Sequence, residues 1–487
     1  MTTQNSFNVA IIGTGFGGLG MAINLKKAGE DDFVIIERAA SVGGTWRDNH
    51  YPGAACDVQS HLYSFSFAPK HDWSRKFAEQ PEIEGYLNDC ANDYDVRKHI
   101  RFNTELQSAD FDETSGLWTL QTSNGVVVAR SVVMANGPLS QPATPNLPGL
   151  ENFKGTTFHS AQWNHDHDLN GERVAVIGTG ASAIQFVPKV VPQASELYLF
   201  QRSGAWVTPK SDRAFFKFEQ WLFKNLPIYD RAYRYWIYWL NEVRALGFTS
   251  FQFALKAFGL LGKLSINRAI KDAEKRRKVT PTWNIGCKRI LLSNDYFPAL
   301  AQEHVDIIDT GIERIEENAI ITNDGRRVEV DTIIFGTGFK ATNFLSPVTF
   351  TGLNGIDLNE AWRNGVTTYK GMNLHGFPNL HLIYGPNTNL SHNSAVFMLE
   401  CQMQHIKKCV LAMKQNGWKH INVRKEAELA WDEAVQKKLK TSVWASGCSS
   451  WYIDATGKIV NMWPGFTFTY KRKTRKPNFN DYDVAKA

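Results

Sequence analysis

The chain has 487 residues, too many for one hydrophobic core, and its length predicts two or three domains. A hydrophobic share of 43% beside 21% charged residues excludes a disordered or fibrous protein and fits a globular enzyme. The formal net charge of +6, from 54 basic and 48 acidic side chains, goes with an expectation of no nucleic-acid partner.

The opening MTTQNSFNVAIIG has no basic n-region and no cleavage-site pattern, so no signal peptide is expected. No apolar run approaches the roughly 18 residues a spanning helix requires, and the expected location is cytoplasmic. Cys56, Cys90, Cys287, Cys401, Cys409 and Cys448 include no C-x-x-C pair, so they are expected as free thiols and no metal site is expected. Near the C-terminus, YKRKTRKP (Lys471, Arg472, Lys473, Arg475, Lys476) reads as a solvated basic tail, with an anionic partner as the alternative.

In chain order, Asn8 to Ile12 is a β-branched run ending in Gly13-Thr14-Gly15-Phe16-Gly17-Gly18, followed by a helical pattern, LGMAINLKKAG, and a second strand, FVIIE. That order predicts a dinucleotide-binding unit: Gly13 for the tight turn, Gly15 for backbone approach to a pyrophosphate, Gly18 for packing of helix on strand. The helix N-terminus then faces the phosphates with its partial positive charge. Glu37 ends the second strand, where a carboxylate accepts hydrogen bonds from an adenosine ribose. Gly43 to Asp57, GGTWRDNHYPGAACD, is irregular backbone in which Trp46 and Tyr51 offer flat faces to an aromatic cofactor. Residues 117–150 read as antiparallel strands with a proline-rich exit that marks a domain boundary.

FKGTTFHSAQWN, residues 153–164, lies between this signature and a second one, RVAVIGTGASAIQFVPKVV, and is expected to connect two cofactor domains. The second signature uses Gly178, Gly180 and Ala183. Arg202 stands as far beyond Gly178 as Glu37 stands beyond Gly13, 24 residues in each case. A carboxylate suits ribose hydroxyls and repels phosphate, whereas a guanidinium suits a 2′-phosphate. The first site is therefore expected to take FAD, and the second NADPH in preference to NADH. Residues 211–285, with FFKFEQWLFK and YDRAYRYWIYWLNEVRALG, predict a helical insertion whose aromatic residues form a core; a substrate tunnel or a membrane surface are the alternatives.

The string F-x-G-x-x-x-H-x-x-x-W, carried by Phe153, Gly155, His159 and Trp163, resembles the fingerprint of the type I Baeyer-Villiger monooxygenases. These flavoenzymes use NADPH and oxygen to turn ketones into esters or lactones. The string departs at Asn164, where the family usually has Pro or Asp. GGTWRDNHYPGAACD is similar to a second family motif, which implies that Thr45, Trp46 and Asp57 lie at the flavin, with Asp57 also near the nicotinamide. By the same resemblance Tyr63 lies at the flavin and Leu106 on the adenine-side strand. In PTWNIGCKRILLSNDYF it makes Lys288 a holder of the NADPH phosphate and Arg289 the residue that reaches the flavin face. It also counts Phe16, Thr179, Ala181, Ser182, Gln185 and Ser203 among the cofactor contacts. TIIFGTGF resembles the family's A-T-G-F turn with Gly336 in place of Ala, and YGPNTNLSHNS resembles a loop near the isoalloxazine.

The resemblance implies reduction of FAD by NADPH, addition of oxygen as a C4a-peroxide, and insertion of one oxygen atom into a ketone. Arg289 would stabilise negative charge without losing its proton, and Asp57 would orient it. An N- or S-oxygenating flavin monooxygenase is the alternative; a disulfide reductase is disfavoured by the missing C-x-x-C. The expected architecture is α/β, with two Rossmann-like dinucleotide-binding domains and a helical insertion. Residues 1–140 and 343–487 are expected to bind FAD, 141–210 and 286–342 NADPH, with 211–285 inserted. The expected partners are a small hydrophobic ketone and O2; membrane contact through the insertion is not expected, and the oligomeric state is left open.

Overall fold

The computed structural model describes residues 5–448 and 450–486. Two sheets organise it. In the first, β1 (Ser6–Ile12) is flanked by β2 (Phe33–Ile36) and β6 (Gly125–Met134), both parallel to it. β3 (Ile100–Arg101) extends the sheet beyond β2, and an antiparallel meander of β4 (Leu106–Asp112), β5 (Leu117–Thr122) and β6 builds the other side. β17 (Thr349–Thr351) and β18 (Leu380–Leu382) return to this sheet from the last third of the chain. The second sheet is parallel throughout, in the order β12 (Val305–Ile308), β9 (Glu196–Phe200), β8 (Arg173–Ile177), β16 (Thr332–Phe335), β7 (Thr156–His159).

Successive strand residues point to opposite faces, so each sheet is covered on both sides. Val9, Ile11, Phe33, Ile35 and Val133 enter one core, while Ala10, Ile12, Val34, Ile36 and Val132 enter another. In the second sheet Val174, Val176, Leu197 and Leu199 face one core, and Ala175, Phe200, Ile333 and Phe335 face the other. This two-sided burial explains why the strands read as continuous apolar runs. After β1 comes α1 (Phe16–Lys26), buried from Phe16 to Leu25 between the sheet and α12 (Ala395–Asn416). After β8 comes α4 (Ala183–Val190), so strand, turn, helix and strand recur in both sheets.

Smaller elements complete the site. α2 (Thr45–Asp48) and α3 (Gln80–Asp93) follow β2, and the short parallel pair β10 (Val207–Thr208) and β11 (Leu291–Leu292) brackets the insertion. The insertion is helical as expected: α5 (Lys217–Asn225), α6 (Pro227–Glu242), α7 (Ala245–Thr249), α8 (Phe253–Ala269) and α9 (Ala273–Val279). No single described helix is long and apolar enough to cross a membrane.

One segment is placed and three expectations are corrected. The fingerprint segment, expected to connect two domains, contributes to the second sheet: Thr156 to His159 form edge strand β7, pairing with β16 from Thr332 to Phe335. Phe153 packs under that sheet and Trp163 joins the core beside Phe158 and Phe186. Cys287 and Cys448 form a disulfide, while Cys56, Cys90, Cys401 and Cys409 are free and buried. The basic run is no loose tail: Lys471, Arg472 and Lys473 are exposed on α14 (Thr467–Thr474), whose Thr467, Tyr470 and Thr474 are buried. Finally, many aromatic residues of the insertion are exposed and form no core, among them Phe218, Trp221 and Trp236.

Candidate functional site

Both glycine turns have the geometry their sequence demands. Gly13 has φ +103°, and a Cβ there would stand 2.8 Å from the carbonyl oxygen of Ala135. A Cβ on Gly18 would fall 1.8 Å from the carbonyl oxygen of Gly13, so only glycine lets α1 start against β1. Gly178 repeats the turn with φ +110°, its added Cβ 2.4 Å from the carbonyl oxygen of Gly336. Here two departures from the usual pattern share one contact: a Cβ on Gly336 would come within 3.2 Å of the Ala183 Cβ. Neither α1 nor α4 has a side-chain cap at its N-terminus; both helix starts point positive charge at the cavity, although in α4 the Ile184 and Gln185 N–H groups already donate to the Gly180 and Ser182 carbonyls.

A continuous cavity of about 1140 Å³ joins the two turns, above the ~300–1,000 Å³ range of pockets for one small ligand. Gly13, Gly15 and Phe16 line one end with Glu37 and Leu106; Thr45, Trp46 and Tyr63 line the wall nearby. The Trp46 indole N–H donates to the Tyr63 hydroxyl at 3.2 Å, and Phe16 packs edge-on against Tyr63. Glu37 is buried and engaged: Thr14 donates its N–H and hydroxyl to Oε2 at 3.0 and 2.6 Å, and the Ala39 N–H donates to Oε1 at 2.9 Å. Arg47 Nη1 adds an ion pair at 3.2 Å. Glu37 therefore stiffens the turn as well as facing the cavity.

At the other end Gly178, Thr179, Gly180, Ala181 and Ser182 line the cavity, with Arg202, Ser203 and Lys288 opposite. Arg202 and Lys288 have no acidic partner among the described residues. Burial, and then the Arg202 charge, push the Lys288 ammonium below the ordinary lysine range. Two cations left facing one space make an anion site. Gln185, also lining the cavity, ties the halves together. Its Oε1 accepts from the Tyr51 hydroxyl at 2.9 Å and its Nε2 donates to the Ala55 carbonyl at 2.8 Å.

Between the two ends Asp57 meets Arg289. The Arg289 Nε and Nη2 donate to Asp57 Oδ2 at 3.0 and 2.5 Å, across 232 positions of sequence. The Asp57 charge, against the opposing effect of burial, holds the Arg289 guanidinium above its ordinary range. Burial pushes Asp57 up, but the Arg289 charge and hydrogen bonds, with help from Lys210, leave its carboxyl below the usual range. Arg289 sits between the disulfide at Cys287 and strand β11, which fixes its backbone on both sides.

The family profile described as flavin-binding monooxygenase-like matches residues 6–227. A Baeyer-Villiger monooxygenase of Pseudomonas aeruginosa is 47% identical over 98% of this chain and 91% of its own length. The chain belongs to the Baeyer-Villiger monooxygenase family. Its fold is similar to a steroid monooxygenase solved with NADP, with TM-score 0.89, 29% identity and coverage of 99% and 100% of the two chains. It is also similar to OTEMO solved with FAD and NADP, with TM-score 0.88, 27% identity and coverage of 98% and 99%.

In this Baeyer-Villiger monooxygenase fold, Gly18 and Ala183 lie behind the cavity, where they serve packing. The fingerprint residues Phe153, Gly155, His159 and Trp163 do not line it either. His159 is buried; its Nε2 pairs with the Gly338 carbonyl at 3.0 Å and its Nδ1 accepts from the Ala161 N–H at 3.1 Å. It thus ties the end of β7 to the turn Gly336–Phe339, which does line the cavity. Sequence reasoning missed Lys210, whose charge acts on Asp57, and Arg47, which braces Glu37. Lys210 lies outside the motifs, whereas Arg47 lies inside GGTWRDNHYPGAACD next to Trp46 and was not singled out there. Tyr384 and Asn389, joined by a 2.6 Å hydrogen bond at the cavity wall, lie in the loop YGPNTNLSHNS that the sequence had marked.

Proposed function

We propose that this chain is an FAD- and NADPH-dependent monooxygenase that inserts one oxygen atom from O2 beside the carbonyl of a small hydrophobic ketone, giving an ester or lactone. The Asp57–Arg289 pair, set in one cavity between two glycine turns, carries this reading. The uncapped start of α1 and the wall of Trp46, Tyr63 and Leu106 fit FAD; the uncapped start of α4 with Arg202 and Lys288 fits NADPH. When bound, FAD supplies the redox chemistry and the activation of oxygen.

The residues do the rest. Arg202 and Lys288 hold the phosphate that distinguishes NADPH from NADH, and Gln185 keeps the two halves of the cavity in register. Ile383, Leu390, Val396 and Leu399 give the cavity an apolar wall that suits a hydrophobic ketone and excludes water. Arg289 stays cationic at every working pH and faces the negative charge that develops on oxygen as the ketone reacts. Asp57 keeps the guanidinium in one orientation. Kinship with Baeyer-Villiger monooxygenases favours ketone oxidation over N- or S-oxygenation. Purified protein with NADPH, O2 and a panel of cyclic, linear and aryl ketones should give products heavier by one oxygen atom in mass spectrometry. Oxygenation of amines and sulfides with every ketone untouched would overturn the reading.

A further inference from the structure

Most of the exposed large apolar side chains among the described residues fall between Phe216 and Leu264. Helix α6 turns an apolar stripe outward, while its inner side mixes Ile237 and Tyr238 with polar side chains, unlike an ordinary surface helix. Its inner face carries Asp230, Arg234, Asn241 and Glu242, all hydrogen-bonded or paired: Arg234 donates to the Ser64 carbonyl, and Glu242 accepts from the Thr467 hydroxyl and from Asn393. Its outer face carries Ile228, Tyr235, Trp236 and Trp239, with Val243 at the C-cap; Ile228 is 83% and Trp236 59% exposed. Helix α8 is apolar on both sides. Leu255, Gly259, Gly262 and Ile266 face inward, while Phe253, Leu260, Leu261 and Leu264 face out, Phe253 being 70% and Leu264 62% exposed. The outward apolar residues of α8 stand beside exposed Lys256 and Lys263 and are left uncovered.

The charge around this face says what covers it. Lys217, Lys224, Arg231, Lys256 and Lys263 are exposed along it. The carboxylates between Lys217 and Leu264 are withdrawn: Glu219 is clamped by Arg213 at 2.6 Å, and Asp230 and Glu242 are buried. The face continues onto α14, where the Phe468 ring lies 6.0 Å from Trp239 and the exposed Lys471, Arg472 and Lys473 follow. Two copies meeting through such faces would oppose cation to cation. An anionic lipid surface complements both the aromatic stripe and its basic border. The helices α6–α7 and α8 meet at a bend of 107°, and no single described helix is long and apolar enough to cross a bilayer.

We propose that α5, α6, α8 and α14 form a docking face for a bilayer that contains anionic phospholipid, with Ile228, Trp236, Phe253 and Leu264 entering the headgroup boundary. The inner side of α6 contacts Asn393, a cavity residue, so the docked face backs onto the cavity wall. The inference uses no catalytic residue and stands apart from the reading of the reaction.

The full chain should float with vesicles of mixed phosphatidylglycerol and phosphatidylcholine at low salt, stay behind with pure phosphatidylcholine, and be released as salt is raised. Ile228→Glu with Leu264→Glu alters only exposed positions, so the melting temperature should hold while flotation is lost. Lys471→Ala with Lys473→Ala should weaken partitioning by roughly 25-fold, from about 1 kcal/mol per basic residue near the surface. No flotation at low salt overturns the proposal, as does flotation that survives the two Glu substitutions. A dimer in sedimentation that those same substitutions split would make the face a contact between copies instead.

Discussion

Arg202 is the residue on which nucleotide choice turns, and the structure gives its replacement a sign and a size. It lines the same cavity as Lys288, close enough for the two charges to interact, and neither cation has a carboxylate partner among the described residues. A charge-assisted contact to phosphate contributes about 1.5–3 kcal/mol, and each 1.4 kcal/mol is about tenfold. Arg202→Glu, which removes the contact and adds repulsion, should therefore lower the ratio of kcat/KM for NADPH over NADH by about ten- to a hundredfold. Arg202→Ala should cost less. The Arg202 charge is one cause that depresses Lys288, so its removal lets Lys288 hold its proton more firmly. The pH profile separates the two effects. The KM for NADPH should climb in wild type as pH rises through a point below the ordinary lysine value of 10.5, and in Arg202→Ala the climb should move to higher pH. Steady-state kinetics with both nucleotides across pH reads all of this. Equal use of NADPH and NADH by wild type, or a ratio that Arg202→Glu leaves alone, would refute the reasoning.

Other outcomes follow from buried groups. His159→Ala leaves the Ala161 N–H and the Gly338 carbonyl without partners, at about 1–3 kcal/mol for each buried orphan; the melting temperature should fall and oxygenation slow more than FAD content drops, and a variant that merely lost FAD would contradict this. His61, His381, His392 and His405 are held down to about 3 by burial. The unfolded chain binds their protons below about 6.5, so stability present above that pH should be lost as pH falls toward 3, by about 1.4 kcal/mol per pH unit for each histidine. Denaturant midpoints that stay level from pH 7 to 4 would count against it. Thiol titration of the denatured chain should find four groups before reduction and six after; six at the outset would remove the disulfide.

The parts of the fold legible in the sequence were those set by neighbours along the chain. Gly13, Gly15 and Gly18 with their flanking strands predicted β1, α1 and β2, because turn, helix start and packing all depend on local backbone. The matched positions of Glu37 and Arg202 were legible for the same reason, and both line the cavity. What failed was long-range. The strand within residues 153–164 went unread because the pairing of β7 with β16 joins residues that lie far apart in sequence. The Cys287–Cys448 bond closes a separation of 161 residues and has no local signature. Lys210 acts on Asp57 from a segment far along the chain, and nothing near Lys210 in sequence announces it. In the insertion, aromatic density was read as core. The buried side of α6 holds Asp230, Asn241 and Glu242 beside Ile237 and Tyr238 while its aromatic stripe faces outward, a placement that periodicity alone does not fix.

The account rests most heavily on Arg289, and the direct measurement is ester or lactone formed per NADPH consumed in Arg289→Ala. The substitution removes a guanidinium but leaves Gly13, Gly15, Gly18 and Glu37 in place, so the protein should remain folded and should bind FAD. Loss of one preorganised donor in such a site costs about 10² to 10³ in rate. Product should therefore fall by that factor while NADPH oxidation continues at a lesser rate and releases hydrogen peroxide. An Arg289→Ala enzyme that oxygenates a ketone with wild-type rate and coupling would contradict the account.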